Sequence, residues 1–227
     1  MERPSVRSPG ERSARDRYYH ECHEASLRRL ADGMRNALLA VDLQADFVQG
    51  GSLPVPNGMP VAAMIARHIR HFKTEYQFVV ASRDYHEDPA DHFSATPDFL
   101  TTWPPHCIIG TPGAAFVPPI ANLVREKIIQ CVVSKGRHNG AYSAFEAVDP
   151  RGHGLLDVLK EERIDHIDVC GIATDYGVRL TALDARKNVF QVRVLVNLCA
   201  AVNEATGLQA LEEMKAAGCQ VQAATAP

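Results

Sequence analysis

Residues 170–179 read Cys170-Gly171-Ile172-Ala173-Thr174-Asp175-Tyr176-Gly177-Val178-Arg179. The apolar run 167–172 has the length and content of a buried strand. It passes through a tight turn directly into a segment with helical spacing over 174–187. A strand feeding a helix is half of a βαβ unit, and the rest of the chain repeats the alternation. Working outward, strands are expected at 37–41, 78–82, 131–134 and 192–196, with a last one starting at 220. Helices are expected at 59–72, 154–162 and 204–217, the last closed by Gly218 as its C-cap. Strands separated by helices predict an α/β fold, a three-layer α/β/α arrangement around a parallel sheet.

The 227 residues, 46% hydrophobic, suffice for one such domain with a well-buried core. A formal charge of −3 offers no electrostatic footprint for nucleic acid or an anionic membrane. No apolar run approaches the ~20 residues that span a bilayer, and the N-terminus lacks the apolar stretch of a secretory signal. The six cysteines are scattered without a CxxC pair, which favours a reduced, cytoplasmic protein over a disulfide framework.

Residues 1–35 stand apart from the domain expected over 36–227. They are rich in arginine and acids, lack lysine, and crowd Pro, Ser and Gly into the first seventeen positions. Residues 1–17 are expected to be disordered, and 18–30 to form a short helix with Leu27 and Leu30 on one side. His20, Cys22 and His23 read as incidental. The acids disfavour a transit peptide.

Periodicity disappears between 83 and 120, and a long irregular stretch in a compact domain is usually functional. Asp84 and His86 stand at spacing i, i+2, and His92 and His106 follow. Imidazoles and a carboxylate without thiolates suit Zn²⁺, Fe²⁺ or Mn²⁺, while a polar loop with unrelated histidines fits the spacing equally well. Asp42 closes the first strand, as a general base or as a turn cap. Lys135 closes another, where it would hold Asp42 ionised or orient a substrate, or else be an ordinary exposed lysine. Asp42, Asp84, Lys135 and the 173–177 turn all fall at carboxyl ends of strands, where ligands gather in open parallel sheets. The turn would present backbone N–H groups to an oxyanion. Phe47, Trp103 and Tyr142 could sandwich a flat ring or simply pack.

Together these segments resemble the nicotinamidase/pyrazinamidase branch of the isochorismatase-like (cysteine hydrolase) family. The matching stretches are Ala40-Val-Asp-Leu-Gln-Ala-Asp-Phe47 with Gly50-Gly-Ser-Leu53, Ser82-Arg-Asp-Tyr-His86 with Asp91-His-Phe-Ser94, and Trp103-Pro-Pro-His-Cys-Ile-Ile-Gly-Thr-Pro-Gly113. Lys135-Gly136, Tyr142-Ser-Ala-Phe145 and Gly171-Ile-Ala-Thr-Asp-Tyr176 complete the set, over roughly residues 36–223. The resemblance implies a six-stranded sheet of the isochorismatase-like hydrolase fold, with one divalent metal held by Asp84, His86, His92 and His106. It further implies Asp42 as general base, Lys135 as its cationic partner, an oxyanion hole from the N–H groups of Ala173 and Gly177, and a cis Ile172–Ala173 peptide. Phe47, Trp103 and Tyr142 would wall a pyridine ring, so the expected partner is a small heteroaromatic amide. A homo-oligomer is compatible with all of this.

The chain departs from the family at Gly177, where the amidases carry the nucleophilic cysteine. Acyl transfer through a thioester cannot run without it, and neither Cys170 nor Cys107 is an evident substitute. The expectation is a nicotinamidase-like hydrolase whose turnover is impaired or carried by an activated water. The alternatives are a non-catalytic or engineered inactive homologue, and acid–base chemistry by Asp42 on a non-amide substrate. Isochorismatases also have glycine at this position but lack the metal-ligand set, which counts against the last.

Overall fold

A computed structural model describes residues 33–225. The expectations for 1–17 and 18–30, and the His20–Cys22–His23 grouping, lie outside the described residues. Six parallel strands form one sheet in the order β3-β2-β1-β4-β5-β6. They are β1 Asn36–Val41, β2 Phe78–Asp84, β3 Cys131–Lys135, β4 His166–Ile172, β5 Gln191–Ala200 and β6 Gln220–Gln222. Five α-helices connect them: α1 Gly58–His71, α2 Pro118–Arg125, α3 Leu155–Glu161, α4 Arg179–Lys187 and α5 Glu204–Ala216.

The strands are nearly continuous apolar runs because both faces of the sheet are covered. In β1, Leu38 and Ala40 point into one core with Val61, Ile65 and Ile69 of α1 and Ile120 and Leu123 of α2. Ala37, Leu39 and Val41 point the other way, toward Leu155 and Leu159 of α3, Ala182 and Ala185 of α4, and Met214 of α5. Period-two alternation thus divides one strand between two hydrophobic layers.

The chain runs from β1 out to β2 and β3 on one side, then returns to place β4, β5 and β6 on the other. The order reverses between β1 and β4, and in open α/β sheets the crevice at such a reversal, beyond the carboxyl ends of the strands, receives the ligand. β1 and β4 are in register there, Val41 opposite Gly171. Gly171 takes φ +124°, and a Cβ at that position would run into the Val41 backbone, so only glycine lets the two strands approach this closely.

Three elements differ from expectation. Helix α2 falls at the end of the stretch expected to be irregular, because Pro118 and Pro119 read as loop residues although proline is favoured in the first turn of a helix. β5 continues to Ala200, past the expected end at 196. The helix expected over 174–187 is instead a π turn, Thr174–Val178, followed by α4. The wider turn is stabilised by a Val178 N–H bond to the Ala173 carbonyl (3.1 Å). It is tied to the start of α5 through the Asp175 carboxylate, which accepts from Val202 N, Asn203 N and Thr206 Oγ1 at 3.0, 3.2 and 2.6 Å. Among the described residues, no helix is long and apolar enough to cross a membrane.

Candidate active site

Above the β1–β4 reversal lies a pocket that is partly open to solvent. Its polar floor is Asp42, Asp84 and Lys135, and His92 and His106 form one side. Phe47, Trp103 and Tyr142 supply aromatic walls, while Ala173 and Gly177 bring in the turn after β4. Of the site candidates singled out over residues 36–227, all but His86 line this pocket. His86, fully buried, stands behind His92 and His106 with ring centroids 5.2 and 4.9 Å from theirs.

Asp42 directly follows β1 in the left-handed region, φ +53°, which aspartate tolerates better than most residues. Its carboxylate is buried, accepting from Ser82 Oγ at 2.7 Å and pairing with Lys135 Nζ at 2.9 Å. Burial raises its pKa to about 6, against the opposing pull of Lys135. Lys135 is 3% exposed, so the exposed-lysine alternative does not hold. Its ammonium bridges Asp42 and Asp84. Burial alone would lower the lysine pKa, but the two carboxylates outweigh it and the group is held charged. Burial likewise pushes the Asp84 carboxyl upward, and Lys135, with His106 and His86 close by, overrides that, holding it well below the usual range. One cation therefore keeps Asp84 ionised beside an Asp42 poised near neutrality.

His86 Nδ1 lies 2.5 Å from the Gly136 carbonyl, and His106 Nδ1 lies 2.8 Å from that of Pro104. A carbonyl oxygen only accepts, so each Nδ1 carries the proton and each Nε2 keeps its lone pair for something else. His86 Nε2 is buried without a hydrogen-bond partner. The ligand atoms of His86, His92 and His106 lie within 4.8 Å of one another. Asp84 Oδ2 is 3.6 Å from His86 Nε2 and 3.7 Å from His106 Nε2. Burial, then the neighbouring His106 and His86, lowers the His92 pKa to about 4, leaving a neutral imidazole. An orphaned nitrogen facing two further imidazoles and a carboxylate fits one divalent cation. Asp84 sits at the end of β2, while His86 lies beyond it, held by an isolated bridge to Ile108 rather than by a continuing strand.

Trp103 Nε1–H donates to the Tyr142 hydroxyl at 2.9 Å, locking two of the walls together. Phe47 tilts toward His106 with centroids 5.4 Å apart. Tyr176, Leu53, Val55, Ile172 and Val202 also line the pocket and were not anticipated. Tyr176 was identifiable as the residue before Gly177, on the same turn; the four aliphatics carry no signal that separates them from core. The Ile172–Ala173 peptide is cis. The Ala173 N–H donates to no backbone carbonyl among the described residues.

No cysteine of the described residues lines this pocket. Cys107 is fully buried, and burial together with the nearby carboxylates pushes its thiol far up. Cys170 is also buried and raised by desolvation. Neither thiol is available as a thiolate.

The isochorismatase domain model matches residues 36–226. The chain belongs to the isochorismatase-domain family. It is 47% identical over 185 residues to the nicotinamidase/pyrazinamidase of Mycobacterium tuberculosis, covering 82% of this chain and 97% of that one. Among solved structures, the pyrazinamidase of Pyrococcus horikoshii in complex with zinc is 36% identical, with a TM-score of 0.69 over 84% of this chain and 99% of its own. An L. infantum protein in complex with nicotinate is 31% identical, with a TM-score of 0.69 over 84% and 93%. Within the isochorismatase-domain family this chain is therefore similar to a nicotinamidase/pyrazinamidase, to a pyrazinamidase solved with zinc and to a protein solved with nicotinate.

Proposed function

We propose that this isochorismatase-domain protein binds nicotinamide or a closely related small heteroaromatic amide and hydrolyses it with water in the place of the thiol. The observation that carries the reading is the position of Gly177. Gly177 lines the pocket, and the point where a Cβ would stand is 2.9 Å from Asp42 Oδ2. A general base therefore adjoins a position that presents no side chain of its own, leaving water as the available nucleophile.

In this reading Phe47, Trp103 and Tyr142 hold the ring. A divalent metal on Asp84, His86, His92 and His106 would supply a Lewis-acidic anchor for it. Lys135 keeps Asp42 anchored and favours its ionised form. Asp42 takes a proton from water as the water oxygen bonds to the amide carbon. The carbonyl electron pair moves onto oxygen, toward the N–H groups of Ala173 and Gly177. When that pair returns, the carbon–nitrogen bond breaks and the Asp42 proton leaves with nitrogen. Amide and water become carboxylic acid and ammonia.

Without the covalent step, turnover is expected to be slow. The test incubates zinc-loaded protein with nicotinamide and measures ammonia. The expected result is release above the blank that disappears in Asp42→Asn. Because Asp42 must be ionised to act and titrates near 6, the rate is expected to fall about tenfold per unit below pH 6 and to level off above it. Nicotinamide binding without ammonia would select a second reading, favoured by the glycine itself: a non-catalytic binder of pyridine carboxamides. Neither binding nor ammonia would overturn both.

A further inference from the structure

Asp42, Gln44 and Asp46 follow β1 at spacing two, and only the first has entered the chemistry so far. Gln44 is fully buried, and both ends of its side-chain amide are hydrogen-bonded. Oε1 accepts from Asp84 N–H at 2.8 Å, while Nε2 donates to the carbonyls of Asp84 at 2.7 Å and Ala114 at 3.0 Å. β1 turns away at Asp42, whose N–H still reaches the Ser82 carbonyl of β2 at 3.2 Å. Beyond that point the edge of β2 has lost its strand partner. The Gln44 amide replaces the partner at Asp84, donating and accepting as a strand residue would.

Asp46 grips the other end of the cluster. Its Oδ2 accepts from Cys107 N–H at 2.7 Å and its Oδ1 from Ser52 N–H at 3.3 Å. Gly113 backs onto the same carboxylate so closely that a Cβ there would overlap it. Cys107 takes φ +47° and needs an anchor to hold it. It follows His106 in the chain, and its carbonyl accepts from His86 N–H at 3.0 Å. Fixing the Cys107 peptide thus fixes one histidine through a covalent link and another through a hydrogen bond.

We propose that Gln44 and Asp46 are positioning residues that aim Asp84, His86 and His106 at one metal, so that the segment carrying the base also sets the metal ligands. The inference rests on the reading of those residues as ligands. Partners behind metal ligands typically alter affinity 10–100-fold when removed.

The experiment titrates apo protein with Zn²⁺ by calorimetry and with Co²⁺ by visible absorbance, alongside the thermal stability of each apo form. Gln44→Glu keeps the shape but sets an oxygen against the Asp84 and Ala114 carbonyls. Asp46→Ala removes the acceptor for Cys107, whereas Asp46→Asn retains one. The expected result is a 10–100-fold loss of Zn²⁺ affinity and an altered Co²⁺ spectrum in Gln44→Glu and Asp46→Ala. Asp46→Asn is expected to stay close to wild type, and the apo melting temperatures of Asp46→Ala and Asp46→Asn to differ little. Wild-type affinity and spectrum in Gln44→Glu and Asp46→Ala would overturn the proposal, as would equal losses in Asp46→Ala and Asp46→Asn. If Gln44→Glu does not fold, the Asp46 pair decides. Failure of wild-type protein to bind either ion would overturn the metal reading itself, which keeps the two failures distinct.

Discussion

Gly177→Cys is expected to raise kcat/KM for nicotinamide by on the order of 10³-fold or more, because removing a nucleophile from an assembled site typically forfeits at least that much. Asp42, Lys135 and the turn after β4 already line the same pocket. A thiol there would stand at the start of a helical segment, an environment that favours the thiolate. The new side chain must also fit. Its Cβ would lie 2.9 Å from Asp42 Oδ2, 3.1 Å from Val41 Cγ1 and 3.5 Å from the Tyr142 carbonyl, so the Asp42 carboxylate must yield by a few tenths of an ångström. Asp42 is held by Ser82 and Lys135, and that restraint sets how much of the gain is realised. A burst of ammonia equal to the enzyme concentration, with a trappable thioester, is the expected signature in rapid-quench kinetics. A variant whose thiol alkylates readily yet turns over no faster than its parent would show that the pocket has diverged beyond its missing atom.

Lys135→Met should cost about 3–5 kcal/mol of folding stability, because it leaves Asp42 and Asp84 buried and facing each other without the cation between them. Urea titration in the presence of a chelator measures it. The sign of the pH dependence follows from linkage. In the variant, at least one of the two carboxyls titrates higher folded than unfolded, so the folded state binds more protons and loses stability as pH rises through that value. The deficit relative to wild type is therefore expected to be larger at pH 8 than at pH 5.5. Equal stability of the two proteins at pH 8 would contradict the bridging role assigned to Lys135.

The parallel architecture was legible because strands buried on both faces have a continuous apolar signature and the helices between them have a distinct period. Asp42, Asp84 and Lys135 were legible as a group because each ends a strand on the side where such sheets bind ligands. What the sequence hid has physical reasons. The π turn and the left-handed Asp42 depend on backbone geometry that no residue type announces. Gln44 and Asp46 look like ordinary polar residues, since their importance lies in backbone groups 40 to 70 positions away. Taken by itself, Lys135 reads equally as a surface lysine; its burial between two carboxylates from other strands is what separates the two. The glycine at 177 was visible at once, but the position of Asp42 against it required coordinates.

The most direct measurement is a crystal structure of the zinc-loaded protein soaked with nicotinamide. The expected density shows the ring between Phe47 and the Trp103–Tyr142 wall, the carboxamide oxygen toward the Ala173 N–H, and a water beside Gly177 within hydrogen-bonding distance of Asp42. A pocket free of ligand at saturating nicotinamide, or a ring bound outside these walls, would contradict the proposal that the site is kept for a pyridine carboxamide.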